Sequence, residues 1–434
     1  MLSAVTFIVV FFTGVLAALT ISGSWGFYLY QVVYFLNPES RWWSTAIPAI
    51  SFSKTTVVVM LLAWFMQRAR LNAAKLKAVP QFKWLFGIGI MLLIVNLYAV
   101  NTERHHDALV DFWKMIVVVI VAYKLIDTEK KLEMALLAYI VGAFYIGWEA
   151  YAVGRNSMGR VEGIGMVDVP DANGFAAALV PAIPLLIYFF WKGSYKQRIV
   201  ACALGVWIAN AIVLINSRGA FLGVLIACAV FLGTMLISRY QQAKQRFVAI
   251  LIISLSVGAT IYITDEQFWN RMGTLSDIED ESASGSHRYR MWISAVDLAL
   301  DRPAGVGAFG FQKLSPIYVD AELFFRNQKE KAVHSSWFQA LSEIGWVGLS
   351  IFLALLLSCF KSSKMVKTVL ISNDKSKAYF RTVALESAFL GYLVAGSFID
   401  IFRSQMMYWL VLFFAVQHRL ALDARSNIDD KAIP

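Results

Sequence analysis

Three basic positions carry the chemistry that this sequence suggests. His334 stands in "KAVHSSWFQALSEIGWVGL", at the end of a polar segment and directly before a long apolar run. Ser336 and Gln339 have the S-x-x-Q spacing of a capping box, which predicts that a helix begins there and leaves His334 just outside it. The positive end of a helix dipole disfavours the imidazolium form, and nearby arginines push the same way. A ring held neutral near pH 7 can accept a proton, which general base catalysis requires. The competing reading is a histidine that only serves the start of a helix.

Arg218 sits in "AIVLINSRGAFLGVL", where a few polar residues separate two apolar runs. That pattern predicts a tight helical hairpin with the arginine at its tip. The planar guanidinium fork suits bidentate binding of phosphate oxygens, and Gly219 allows close backbone approach. The alternative is an arginine snorkelling to lipid headgroups. Arg288 and Arg290 follow in "SGSHRYRMW". Positions two apart on a helix face different ways, so one of the two is expected at a shared site. Otherwise they form a solvated basic patch on a segment that also holds Glu279, Asp280 and Glu281. An arginine pair with a neutral base suggests a transfer reaction on a diphosphate-linked substrate. The arginines would stabilise the departing pyrophosphate, and the base would take a proton from an attacking hydroxyl.

Other patterns carry less. "GVGAFGF" from Gly305 lacks the strand, lysine and helix start of a phosphate loop, so its glycines are expected to make a tight turn. Asp168 and Asp171 are close in sequence, but Pro170 and the following "ANG" predict a helix start rather than a metal site. No metal or other cofactor is expected. The three cysteines, Cys202, Cys228 and Cys359, lie in apolar runs without metal-site spacing.

These residues must be positioned by membrane helices. Of the 434 residues, 59% are hydrophobic and 16% charged, and the mean hydropathy is +0.61. A soluble domain carries roughly 25% charged residues. Apolar runs of about 20 residues recur along the chain, each able to cross a bilayer core of roughly 30 Å. The expected fold is therefore an all-α polytopic membrane protein of about 12 transmembrane helices, with an N-terminus in the cytoplasm and one extracytoplasmic, partly helical insertion. The run Trp25–Leu36 is short for a span. The expected organisation is a first membrane part over 1–264, the insertion over 265–334, the last spans over 335–419 and an unstructured cytoplasmic tail over 420–434. The net charge of +10 reflects loops and not a nucleic-acid face. Arg68, Arg70, Lys75, Lys77 and Lys83 share one acid-free loop, which the positive-inside rule places in the cytoplasm. The alternation puts the loop around His105, the loop "VGRNSMGRVEGIGMVDVPDANG", the "NSRGA" turn, the insertion and "DIFRS" on the opposite side. Within the insertion, "HRYRMWISAVDLALDRP" predicts an amphipathic helix ending at a proline. Sugars linked to an isoprenoid diphosphate are the natural donors there, because nucleotide sugars are confined to the cytoplasm.

At these residues the sequence resembles the O-antigen ligase and O-antigen polymerase superfamily of bacterial envelope glycosyltransferases. "NSRGAFLGV" is similar to the family's S-R-[GT]-A hairpin. "SHRYRMWISAVDLALDRPAGVGAFGF" resembles its R-x-x-x-W helix and G-[VI]-G turn, with Arg288 four residues before Trp292. "VHSSWFQALSEIGWVGL" resembles the H-[NS]-x-[YWF]-[LF]-x-x-[LF]-x-[EQ]-x-G run, and "VPDANGFAAALVPAIPLL" the D-x-N-x-[FLA]-A segment. Two features depart from the common pattern. Ser335 stands where asparagine is frequent, and "YFLNPES" resembles the exosortase-associated branch.

The resemblance implies a GT-C-like, metal-independent, inverting ligase in the bacterial inner membrane with a periplasmic active site. Its donor would be a glycan on undecaprenyl diphosphate, its acceptor lipid A-core and its setting the lipid bilayer, with no nucleic acid involved. Arg218 and Arg288 would hold the diphosphate and His334 would act on the acceptor, with Asn216, His287, Arg290 and Ser335 as further substrate contacts. A polymerase and a protein ligase are the rivals within that superfamily. A transporter or flippase is the rival outside it, but such proteins gather charge at the bilayer midplane and not at one face. The side assignment predicts that Ser284→Cys and Ala321→Cys react with an impermeant thiol reagent in intact spheroplasts, whereas Ala73→Cys does not. Labelling at position 73 would overturn the arrangement.

Overall fold

The computed structural model describes residues 2–71, 75–157, 159–169, 171–273, 284–324 and 328–429. Ala73, Pro170 and the acids Glu279, Asp280 and Glu281 lie outside them. The first helices are α1 (Leu2–Thr20), α2 (Ser24–Leu36), α3 (Phe52–Gln67), α4 (Pro80–Val95), α5 (Thr102–Leu125) and α6 (Glu129–Val153). There follow α7 (Ala172–Leu179), α8 (Ala182–Lys192), α9 (Tyr195–Ile215), α10 (Arg218–Ile237) and α11 (Gln245–Ile263). Short helices α12 (Glu266–Gly273), α13 (Ser284–Asp301) and α14 (Gly310–Tyr318) then lead to α15 (Ser336–Ser372), α16 (Ser376–Gly396) and α17 (Gln405–Asp429). No strand occurs among the described residues. Among the described residues seven stretches are long and apolar enough to cross a bilayer: α1, α6, α7 with α8, α9, α10, α11 and α15. The chain is an all-α, multi-pass membrane protein.

The bundle is organised around α17. From Met406 to Val416 every side chain is at most 1% exposed, as a helix that is apolar all round requires when it lies at a centre. Trp409 is ringed edge-on by Phe27, Tyr30, Tyr34, Phe35 and Tyr139. That ring explains the short Trp25–Leu36 run. With Ser24 it forms the 13-residue α2, most of it buried in protein, which reaches only about 20 Å along the axis. At the other end of α17, Arg419 donates to the carbonyls of Tyr123 and Ile126, satisfying the last carbonyls of α5. The helix runs on to Asp429, so the expected unstructured tail is corrected for residues 420–429. "RLALDAR" is made of strong helix formers.

Two long apolar runs prove to be interrupted. The run Gly174–Trp191 breaks between α7 and α8 around Val180 and Pro181, where proline removes a donor. The run Trp337–Phe360 extends to Ser372 but is broken at Gly345, whose φ of 68° and ψ of −173° leave the helical region. The tight turn expected at "GVGAF" fills that break. Val306 and Gly307 donate their N–H groups to the carbonyls of Ser342 and Glu343, at 2.8 and 3.0 Å, and Trp346 N–H donates to Pro303 O at 3.1 Å. The turn is held from behind by His105. Expected in a loop, it lies on the first turn of α5 and is fully buried. Ala308 N–H donates to its Nδ1 at 2.8 Å, so Nε2 carries the proton and donates to Leu92 O at 3.0 Å.

Gly223 of α10 and Gly391 of α16 let these helices touch. A Cβ on Gly223 would stand 2.5 Å from Gly391 O, and one on Gly391 would stand 2.6 Å from Gly223 O. Small residues permit such close backbone approach between membrane helices. The crossing brings the first turn of α10 against Phe398, in the segment joining α16 to α17.

Gly305 adopts φ +86°, and a Cβ there would meet Gly345 N at 2.6 Å and Glu343 O at 2.7 Å. Gly305→Ala should therefore destabilise the protein by on the order of 1–3 kcal/mol. Thermal unfolding in detergent would show it as a lowered midpoint, and an unchanged midpoint would contradict the packed turn.

Candidate active site

Two helix starts meet at one cavity. The hairpin between α9 and α10 turns at Asn216, which caps α9 in the left-handed region with φ 55° and ψ 48°. Ser217 is then the N-cap of α10 and Arg218 its first residue. Nearby, Asp171 caps α7 by accepting from Gly174 N–H at 2.8 Å, as the "PDANG" pattern predicts. Asn173, Ser217, Arg218 and Gly219 line the cavity from these two helix starts, and Phe398 and Ile399 close it. Unpaired N–H groups and the dipole make a helix start favourable to anions.

Helix α13 supplies Arg288 to the same cavity. Trp292, one turn later, stacks on Phe338 with centroids 5.6 Å apart and also meets Phe398 at 6.2 Å. This anchors the helix and aims the residue four positions earlier. Half-buried Arg288 makes no hydrogen bond or ion pair with a described residue. Burial pushes its guanidinium below the usual value, as do the charges of Arg218 and Arg160, while Asp171 and Asp400 pull it back. Such a guanidinium is an open set of donors for an anion.

His334 is held beside this cavity by a seam of buried hydrogen bonds. Its φ is +54°, which turns the chain sharply before α15. Asp400 accepts from the backbone N–H of Ser335 at 2.8 Å and from that of His334. Ser336 Oγ donates to Ile399 O at 2.7 Å and accepts from Ile401 N–H at 3.0 Å. Gln339 Oε1 accepts from Phe402 N–H at 3.1 Å. The expected capping box is therefore absent. Ser335 is the N-cap without a side-chain bond, and Ser336 and Gln339 are spent on the 399–402 segment instead. Burial holds the His334 imidazole below its ordinary value, and Arg288 and Lys331 add to this against Asp171. Asp400, half-buried, is pushed up to about 6 by desolvation.

The family comparison falls on this region. Residues 203–353 match the family model described as O-antigen ligase. That stretch, about a third of the chain, is similar to the O-antigen ligase family. A search of curated proteins found no match. The ligase-like stretch runs from α9 to just beyond the break in α15 and contains Arg218, Arg288 and His334.

Other residues expected in the ligase-like site lie elsewhere. Arg290 turns to Asp320, with Nη2 2.6 Å from Oδ2, and to Glu322. Asn216 donates to Gln267 O at 3.4 Å and serves the hairpin. Ser335 is fully buried and offers its N–H to Asp400, and its Oγ has no hydrogen-bond partner among the described residues. His287 does not line the cavity. Sequence reasoning missed Arg160, whose Nη2 donates to Asn173 Oδ1 at 3.3 Å, and Asp400. Both sit in loops already expected on the same face, and only that shared placement hinted at them. Among the described residues no group of three or more His, Cys, Asp or Glu could hold a metal ion.

His334 should titrate below the value of about 6.5 for free histidine, and Arg288→Gln should move it upward by removing a positive neighbour. Histidine NMR titration, with the resonance assigned by His334→Gln, would show this. A value at or above that of free histidine would contradict the neutral ring.

Proposed function

We propose that the protein is an O-antigen ligase that transfers a glycan from undecaprenyl diphosphate to a hydroxyl of lipid A-core. The reaction takes place at the periplasmic face of a bacterial inner membrane. About 12 spans surround the site, and residues 265–334 form its periplasmic insertion. The observation that carries this reading is the cavity where Arg218 and Arg288 converge on two helix starts, with His334 alongside. The match of residues 203–353 supports a glycan-joining enzyme in general, and the cavity supports a diphosphate as the group that leaves.

In this reaction His334 takes the proton of the acceptor hydroxyl. The hydroxyl oxygen attacks the anomeric carbon from the face opposite the diphosphate, a bond forms there, and the bond from that carbon to the diphosphate oxygen breaks. A single displacement inverts the configuration. Charge grows on the departing diphosphate, and Arg218, Arg288 and the helix N–H groups meet it as it grows, which is where preorganised donors lower a barrier. Arginines take the role that a divalent ion has in many glycosyl transfers.

Arg218→Ala and Arg288→Ala should each cost on the order of 2–4 kcal/mol in donor use, roughly 30- to 1000-fold in rate. Lysine should rescue only in part, because a point charge lacks the fork. His334→Ala should abolish transfer and leave donor binding nearly intact. A purified-component assay with lipid A-core and lipid-linked glycan, resolved by gel, would show all three effects, and activity should survive EDTA. Near-normal ligation by His334→Ala would remove the base, and glycan chains extended on the lipid-linked donor alone would identify a polymerase.

A further inference from the structure

Arg218 stands on a hairpin tip that its own two arms hold poorly. The arms part from it, since α9 packs against α6 and α8 while α10 packs against α16. Asn216 turns the chain in the left-handed region, and Ser217 gives α10 no side-chain cap. The outer half of α11 adds little packing, because no residue from Ile253 to Gln267 is buried.

The tip is held instead by Arg155, which follows α6 and does not line the cavity. Its side chain is only 12% exposed, and its guanidinium is divided between two neighbours. Nε donates to Leu214 O at 3.1 Å and Nη2 to Val213 O at 2.9 Å, both in the last turn of α9. Nη1 pairs with Asp265 Oδ2 and donates to Gln267 Oε1 at 3.3 Å. A cation there satisfies carbonyls that have no donor within the helix and meets the negative end of its dipole. Asp265 in turn accepts from Phe268 N–H at 2.9 Å at the start of α12. Phe268 and Met272 of that helix pack against Val213 of one arm and Phe221 of the other. Only arginine suits this post. A planar fork of donors reaches two carbonyls and a carboxylate at once, which an ammonium on a flexible stem cannot.

The same short loop carries Arg160. Asn156 N–H donates to Arg160 O at 2.8 Å, and Arg160 N–H donates to Asn156 Oδ1 at 3.1 Å, which closes residues 156–160 into a turn. Fixing Arg155 therefore fixes Arg160 as well. Arg160 Nη2 reaches Asn173 in the cavity wall at 3.3 Å, and its charge acts on both Arg218 and Arg288.

We propose that Arg155 is a positioning residue for the anion cavity. It holds the tip that carries Arg218 at a set distance from Arg160, and so sets how strongly the cavity's like charges oppose one another. The role rests on the transfer reaction proposed above and deepens it.

The test uses the full-length protein in detergent. Inorganic diphosphate is the binding probe in calorimetry, and lipid-linked glycan and lipid A-core are the substrates in the ligation assay. Arg155→Ala should weaken diphosphate binding and raise the donor KM roughly tenfold, with the acceptor KM unmoved. Arg155→Lys should recover only part of the loss, since it keeps the charge without the fork. In the Arg218→Ala background, Arg155→Ala should cost much less than it does alone, because the guanidinium that it positions is gone. An equal cost in both backgrounds, full recovery by lysine or a raised acceptor KM would overturn the role. Should Arg155→Ala fail to fold, Asp265→Asn decides, because it loosens one end of the clip at a surface residue. It should raise the donor KM in the wild-type background and not in Arg218→Ala. If diphosphate binding follows Arg155 but the wild type transfers nothing, the positioning role stands and the ligase reading falls. If transfer depends on Arg218 while Arg155→Ala and Asp265→Asn leave the donor KM unchanged, the ligase reading stands and the positioning role falls.

Discussion

The seam between residues 333–339 and 399–402 is the constraint on which the site depends. A helix start buried in a membrane protein leaves N–H groups that water cannot satisfy, and each orphan costs on the order of 1–3 kcal/mol. Asp400 answers this need for Ser335, 65 residues away, and Ser336 and Gln339 in return satisfy the backbone of residues 399–402. In doing so they fix where His334 turns. They also set Ile399 in the wall of the cavity. The cost is a half-buried carboxylate, visible in the upward shift of Asp400.

The cavity reverses the usual logic of folded proteins. Arg160, Arg218 and Arg288 lie close enough for their charges to oppose one another, and Asp171 and Asp400 compensate them only in part. Like charges held together are unfavourable in the empty protein. An anion that arrives there is therefore bound partly by relief of repulsion, beyond the contacts it makes. The interaction strengthens as negative charge on the ligand grows, which is the direction a departing diphosphate takes.

How much was legible in the sequence follows from the range of each interaction. The hairpin tip at Arg218, the start of α7 at Asp171 and the turn at Gly305 are local, and the residue types that need those conformations announce them. Helix spacing left Arg288 and Arg290 open, and the choice of Arg288 came from the resemblance, whose pattern sets an arginine four residues before Trp292. The capping box misled because Ser336 and Gln339 found long-range carbonyl and N–H groups to bond, and short-range rules cannot see such competitors. The break at Gly345 was hidden for the same reason. Nothing in "EIGWVGL" reports that residues 303–307 will insert their own N–H and carbonyl groups into it. Asp400 acquires meaning only once "DIFRS" is placed against α15.

The broken helix and the seam together answer a requirement that a membrane catalyst cannot avoid. Polar chemistry needs irregular backbone, and irregular backbone near a bilayer is tolerated only where protein or an aqueous cavity satisfies it. Residues 303–308 satisfy the break in α15, and His105 satisfies that turn in its own right through Ala308 N–H. Asp400 satisfies the start of the same helix, and Ser336 and Gln339 satisfy the backbone of residues 399–402 in return. Helix α15 is thus pinned twice within its first ten residues, once at each end of the turns that carry Gln339 and Glu343. A base and one wall of the cavity are in this way carried by backbone that has little freedom to move, which is the preorganisation that a transfer between two lipid-borne groups demands.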